Sequence, residues 1–237
     1  MNMFIVCCIP FFIAAGFHLS ACLFGKERQA DASKKILMPL LILAAVSNYF
    51  FELKYGSSAF KVGFLKILLI SAALAAGNAG DIFLLGDVKP ATMIKGLCAF
   101  LIGHCIYICS LFIVFPPIFP PVWIIIAAAI VYALGVFLSW LSVGKPRGRP
   151  GKGAVIYAAV LSLFSLLTLI RVFGTGYANG THLKALIKIY TGTVLFLASD
   201  SILSQTIFFK PFYQSRFTVM LTYISAQFFI VWGFFSV

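Results

Sequence analysis

Eight apolar stretches follow one another along this chain, each of membrane length or close to it, with only short connections between them. A helix needs about 20 apolar residues to cross the hydrocarbon core of a bilayer. No water is available there, so every backbone N–H and C=O must find a partner within the protein, and a helix satisfies its own. The expected fold is therefore all-α, a polytopic membrane helix bundle of eight transmembrane helices. The spans fall at about 3–24, 36–51, 62–85, 92–115, 121–143, 153–173, 183–206 and 217–236. The second is short and leans on its flanks, Lys35 and Glu52. No soluble domain fits between spans, so residues 1–237 read as a single transmembrane bundle. Composition agrees: the chain is 62% hydrophobic and 10% charged, against about 45–50% and about 25% in ordinary soluble domains.

A net charge of +12 raises nucleic acid as a partner, but the basic residues are dispersed among the connections between spans. They read as topology signals and contacts to lipid headgroups, so membrane lipids, not nucleic acid, are the expected surroundings. Twelve of the 18 Lys and Arg lie in or beside the first, third, fifth and seventh connections, and six lie in the others. The positive-inside rule then puts both termini outside and the odd-numbered loops in the cytoplasm. In a bacterium, this is a protein of the inner membrane. The basic stretch at 144–153, GKPRGRPGKG, reads as a flexible cytoplasmic turn. Asp87, next to Lys89, reads as a solvated loop residue.

No Lys or Arg precedes the first span, so it reads as a membrane helix rather than a cleaved signal, although LSAC at 19–22 has the look of a lipoprotein cleavage box. All six cysteines fall in the first and fourth spans, which is no secreted disulfide framework. Cys98, Cys105 and Cys109 share a helical stripe and read as core thiols behaving as small hydrophobes rather than as a metal face.

Against this apolar background Asp81 and Asp200 stand out. An Asp mid-membrane costs roughly 2.5–3.5 kcal/mol on insertion scales, and such residues usually face a bundle interior or a watery cavity. AGDIFL (79–84) and ASDSIL (198–203) share a loose pattern 119 residues apart, near the ends of the third and seventh spans. A four-plus-four duplication accounts for such an echo. The geometry holds without it: odd-numbered spans run the same way, so the two acids sit at similar depth near one face. Even-numbered spans begin where odd ones end, so Lys35 and Arg216 belong at that face too. The acids are then either a structural set of ion pairs with such basic residues or the centre of a functional site.

Their neighbours favour a cavity. GNAG before Asp81 lets another helix approach closely, and Asn78 offers an amide three residues back. Thr193 and Ser204 lie on the Asp200 stripe. His104 and Tyr107 sit mid-membrane in the fourth span, where His104 is either a hydrogen-bonded core residue or an orienting group. Arg216, Tyr223 and Gln227 form one stripe on the eighth span, either an interhelical hydrogen-bonding face or a polar wall leading down from the headgroups. There is no nucleotide-binding loop, HExxH or GxSxG. The reagents present are carboxylates, an imidazole, phenols and basic groups. They suit general acid–base chemistry or proton-coupled binding by a binder or transporter.

KILMPLL (35–41), GDIFL (80–84), GLCAFLIGHCIYI (96–108), GTVLFLASDSIL (192–203) and PFYQSRFTVMLTYISAQ (211–227) recur over about 190 residues. In order and spacing they resemble the YhhN-like membrane proteins, which include the lysoplasmalogenases. The chain departs from that pattern at Ile36, where Pro is usual, at Gly77, where Ser is common, and in its basic loop. The resemblance implies eight spans and hydrolysis of the vinyl-ether bond of lysoplasmalogens, giving a fatty aldehyde and glycerophosphoethanolamine or glycerophosphocholine. It implies Asp81 and Asp200 as the central acidic pair, a lysophospholipid substrate, and neither metal nor organic cofactor.

The chemistry suits two buried acids. Vinyl-ether hydrolysis needs a proton delivered to carbon and water added to the resulting oxocarbenium ion, a cation that glycosidases also handle with two carboxyl groups. Burial and a second carboxylate both favour the neutral form of a carboxyl group, so such a pair can hold one proton. Lys35 and Arg216 near the interface suit the phosphate. His104, Tyr107, Tyr223 and Gln227 suit orientation of the acids or the water. Nothing in the sequence sets an oligomeric state.

Overall fold

The computed structural model describes residues 3–55, 60–86, 89–144, 148–178 and 180–236. Asp87, and Lys145 and Arg147 of the basic stretch, lie outside the described residues. Among those described, the chain is all helix and turn: α1 Met3–Cys7, α2 Ile9–Leu23, α3 Glu27–Tyr55, α4 Phe60–Phe83, α5 Pro90–Val114, α6 Val122–Ser139, a π-helical turn Trp140–Gly144, α7 Gly148–Tyr177, α8 Leu183–Phe208 and α9 Ser215–Phe234. Seven of these, α3 to α9, are long and apolar enough to cross a membrane.

The N-terminal segment departs from the expected single span. It is split into α1 and the 15-residue α2. Pro10 lacks an N–H and its ring crowds the carbonyl four residues back, so the helix cannot run unbroken through Cys8. Alone, α2 is about 22 Å long, short of the ~30 Å hydrocarbon core.

The second span departs in the other direction. Instead of starting at 36, α3 begins at Glu27 and runs 29 residues. The polar stretch ERQADASKK is made largely of strong helix formers, which a hydropathy window passes over. Its buried positions, Ala30, Ser33, Leu37, Met38, Leu41, Ala44, Ala45, Asn48 and Tyr49, form one continuous stripe. Likewise α7 begins at Gly148, so Arg149 and Lys152 belong to a helix rather than a flexible turn. Cys98, Cys105 and Cys109 are exposed rather than core, a stripe on the outer face of α5.

Packing follows a closed circuit. Along α2, α3, α4, α5, α7, α8 and α9 each helix packs on the next, and α9 returns to α2. α6 stands outside this ring, against α7. The connection after α5 explains the excursion: PPIFPP, residues 116–121, contains four prolines, which hold it extended and out of the helix. α8 and α9 approach most closely through glycine. A Cβ at Gly192 would lie 2.8 Å from the carbonyl oxygen of Ala226, and one at Gly233 2.8 Å from that of Ala185. Small residues at such crossings allow backbone contact where the surrounding lipid supplies no hydrophobic drive.

Candidate functional site

Asp81 comes from the last turn of α4 and is 3% exposed. Lys34 of α3 lies with its ammonium nitrogen 3.1 Å from Asp81 Oδ1. The Tyr223 hydroxyl of α9 donates to Oδ2 at 2.7 Å. Three helices thus meet on one carboxylate, and the extension of α3 past residue 36 is what delivers the cation. Lys34 continues the buried stripe through Met38 and Leu41, whereas Lys35, one position round the helix, is exposed and lines neither cavity described below. The structure therefore puts Lys34, not Lys35, beside the acid.

Asp200 comes from α8 and accepts a hydrogen bond from the Tyr157 hydroxyl of α7. Among the described residues, no basic side chain lies within ion-pair distance of it. The two acids differ in this respect: Asp81 has a cation and a phenol, Asp200 a phenol alone.

Phe100 of α5 links the two settings. Its ring centroid is 6.2 Å from that of Tyr157 and 6.2 Å from that of Tyr223. It reaches this place because residue 80 is glycine: a Cβ there would lie 2.7 Å from the Phe100 ring. GNAG therefore serves as expected, in that its second glycine admits a partner helix.

Both acids line one cavity of about 600 Å³. Lys34, Tyr157, Tyr223 and Phe100 share its wall, with α6, α7 and α8 supplying most of the rest. A second, more polar cavity of about 350 Å³ adjoins it and is lined by Glu27, Asp31, Lys34, Ser215 and Arg216. The two have Lys34, Leu84, Leu203, Val219 and Met220 in common. Arg216 is exposed at the start of α9, and its Nη2 pairs with Asp31 Oδ1 at 2.5 Å. Together the cavities make an amphiphile-shaped space: a charged vestibule at one end of the bundle, the carboxylates beneath it, and an apolar extension below.

Of the other polar residues singled out by sequence, Ser204 lines the larger cavity, whereas Asn78, His104, Tyr107, Thr193 and Gln227 lie outside both linings. The Tyr107 hydroxyl donates to Gln227 Oε1 at 2.9 Å. Gln227 lies one turn from Tyr223, so the stripe on α9 is a hydrogen-bonding face that backs the Asp81 partner. His104 Nδ1 lies 2.8 Å from the Phe100 carbonyl oxygen, which can only accept, so Nδ1 carries the proton and Nε2 presents a lone pair. Among the described residues, that Nε2 has no hydrogen-bond partner, and neither does the buried Asn78 Oδ1.

Three participants escaped the sequence reading: Lys34, Tyr157 and Asp31. Lys34 and Asp31 were legible once α3 is drawn from residue 27, since Glu27, Asp31 and Lys34 fall on one face. Tyr157 begins the buried stripe Leu161, Phe164, Ser165, Thr168 and Arg171 of α7 and was legible as its first inward position.

A model of the YhhN family matches residues 29–234. This chain belongs to the YhhN family. The matched region runs from the first turn of α3 to the end of α9, so every residue of the site except Glu27 lies within the YhhN match. No curated protein and no solved structure matches significantly.

Proposed function

We propose that this YhhN-family protein is an intramembrane hydrolase that cleaves the vinyl-ether bond of lysoplasmalogens. The observation that carries the reading is that two carboxyl groups from different helices line one cavity, directly beneath a charged vestibule that holds Lys34 and Arg216. Membership of a family that includes the lysoplasmalogenases supports it.

The substrate is a single-chain amphiphile, and each of its parts has a counterpart. Arg216 and Lys34 face the vestibule and bind the phosphate, Arg as a fork and Lys as a point charge. The vinyl ether, next to the glycerol, lies at the depth of the acids. Asp200, with no cation beside it, carries the proton and delivers it to the alkene carbon distal to the ether oxygen. The positive charge then spreads over the adjoining carbon and the ether oxygen. Asp81, held as a carboxylate by Lys34, stabilises that cation and takes a proton from the water that adds to it. The hemiacetal so formed collapses: its hydroxyl proton leaves, the carbon–oxygen bond to glycerol breaks, and the glycerol oxygen is protonated. The products are a fatty aldehyde and glycerophospho-ethanolamine or -choline. By the charge count, the vestibule faces the cytoplasm.

The test is incubation of the purified protein with alkenyl- and acyl-lysolipids, followed by an aldehyde assay. Aldehyde from the alkenyl lipid alone is the expected result. Saturable lipid binding or ligand-driven proton uptake without turnover would favour a proton-coupled binder or transporter using the same acids.

A further inference from the structure

The larger cavity crosses the wall of the helix ring. At one end its lining includes Asp81, 3% exposed, and Tyr223, 4% exposed; at the other it includes Val131 of α6, 68% exposed. Between them it passes Tyr157, Ala158, Leu161 and Ser162 of α7 and Leu197, Ser201 and Gln205 of α8. α6 and α8 both pack on α7, from different sides of the cavity. We infer that the gap between α6 and α8 is a side door through which the hydrocarbon chain of a single-chain amphiphile passes from the bilayer to the carboxylates. This rests on the lysolipid reading above and adds a route and named door residues to it.

The inner face of α6 is cut for such a chain. Tyr132, Gly135 and Ser139 of α6, and Ser142 in the π-helical turn that follows, lie three or four residues apart and all line the cavity. Gly135 sits at an open place, where an added Cβ meets nothing within 4 Å. Deeper along α7 the passage is floored by a tie across three helices. The Tyr132 hydroxyl lies 2.7 Å from Ser165 Oγ, and Thr193 of α8 lies 3.0 Å from the same atom. Ser165 is two turns along α7 from Tyr157, about 12 Å at 1.5 Å per residue. A chain that starts at the acids therefore meets this floor after about 12 Å. The remaining methylenes turn outward past Gly135 and Ser201 into the surrounding lipid. A tail that stays in an apolar medium throughout loses no hydrophobic stabilisation on entering.

The experiment uses the full-length protein in nanodiscs and saturated 1-O-alkyl lysophosphocholines, which lack the vinyl group. Each carries a photoactivatable diazirine either beside the glycerol or at the chain end. Labelled residues are mapped by mass spectrometry with and without unlabelled competitor. The expected result is competable chain-end labelling on 131–139 of α6 and 194–201 of α8, and glycerol-side labelling around Asp81 and Tyr223. Gly135→Trp, which fills the doorway, should cut the competable chain-end labelling about tenfold. Ser201→Trp provides the same block from α8 should the first variant fold poorly. Competable labelling on another face, no competable labelling, or labelling indifferent to both substitutions would overturn the door. Aldehyde release from the alkenyl lipid is scored separately. Labelling at the door without aldehyde removes the hydrolase and leaves the door, and aldehyde with labelling elsewhere does the reverse.

Discussion

Lys34 on α3 and Asp81 on α4 form a largely buried ion pair, nitrogen to oxygen 3.1 Å, at the point where the polar vestibule meets the apolar cavity. Breaking a buried pair by removing one partner leaves an uncompensated charge and costs about 3–5 kcal/mol. Lys34 retains some exposure, so the lower end of that range applies. Lys34→Met should lower the melting temperature clearly and cut aldehyde release by at least about 100-fold. Lys35→Met, one residue on and facing outward, should stay within about twofold of wild type in both. Adding Asp81→Asn to Lys34→Met should recover much of the stability and none of the activity, because the double variant removes the stranded charge but not the need for a carboxylate. Thermal melts and turnover of the three variants check this. Equal losses at Lys34 and Lys35 would contradict the register of α3.

The two phenols should act on rate rather than on fold. Tyr223→Phe and Tyr157→Phe each remove one hydrogen bond to a carboxyl group and keep the ring that packs on Phe100. The bond to the Asp81 carboxylate contributes about 1.5–3 kcal/mol, and the bond to the protonated Asp200 about 0.5–1.5 kcal/mol. We expect kcat to fall about 10- to 100-fold in Tyr223→Phe and about 3- to 10-fold in Tyr157→Phe, with KM changed little, since a lost phenol does not touch the vestibule. Asp81→Asn and Asp200→Asn should abolish turnover while the protein stays folded and inserted. Wild-type rates in either Asn variant would remove that acid from the chemistry.

Arg171 behaves differently from the other basic residues. It is 2% exposed, and its Nη1 donates to the carbonyl oxygens of Phe115, at 3.1 Å, and Pro116, just past the end of α5. Its guanidinium also lies 4.9 Å from the centroid of the Phe112 ring. It thus anchors the proline-rich connection that carries the chain out to α6. Arg171→Met should destabilise the protein by about 3 kcal/mol through the orphaned carbonyls. Arg171→Lys should recover little, because an ammonium lacks the planar fork and the flat face for the ring. The surviving folded fraction of either variant should turn over at a normal kcat, which separates Arg171 from the site. Melting curves alongside kcat per folded molecule are the measurement.

How far the sequence carried is clearest in α3 and α4. Hydropathy located the apolar middle of every long helix, because a bilayer demands it. It missed the first two turns of α3, where helix propensity and tertiary burial, not hydropathy, set the boundary, and with them the cation partner of Asp81. The acids were legible because a carboxylate inside an apolar run has few explanations. Tyr157 was not singled out, since a tyrosine in a membrane span has many. The split at Cys8 was in principle readable from Pro10. The position of α6 outside the ring was not, because nothing local in its sequence distinguishes a helix packed on one neighbour from a helix packed on two.

Gly77 and Gly80, one turn apart on α4, should respond oppositely to an added side chain. At Gly80 a Cβ would lie 2.7 Å from the Phe100 ring, which is itself wedged between Tyr157 and Tyr223. Phe100 cannot withdraw without disturbing both phenols, so Gly80→Ala should cost about 1–3 kcal/mol by overpacking and depress turnover as well. Phe100→Leu, which removes the wedge, should restore part of the stability of Gly80→Ala but not its rate. At Gly77 a Cβ would lie 3.3 Å from Gln227 Nε2 and 3.7 Å from the Tyr223 hydroxyl, both polar side-chain ends. Gly77→Ser needs a shift of only a few tenths of an ångström at Gln227, places a hydroxyl beside two hydrogen-bonding groups, and replaces a helix-destabilising glycine. Its melting temperature should equal or exceed that of wild type, with turnover kept within about threefold. Melts and aldehyde release for the two single variants decide the matter: a Gly77→Ser protein as damaged as Gly80→Ala would mean that the wall formed by Tyr223 and Gln227 does not stand against α4 as described.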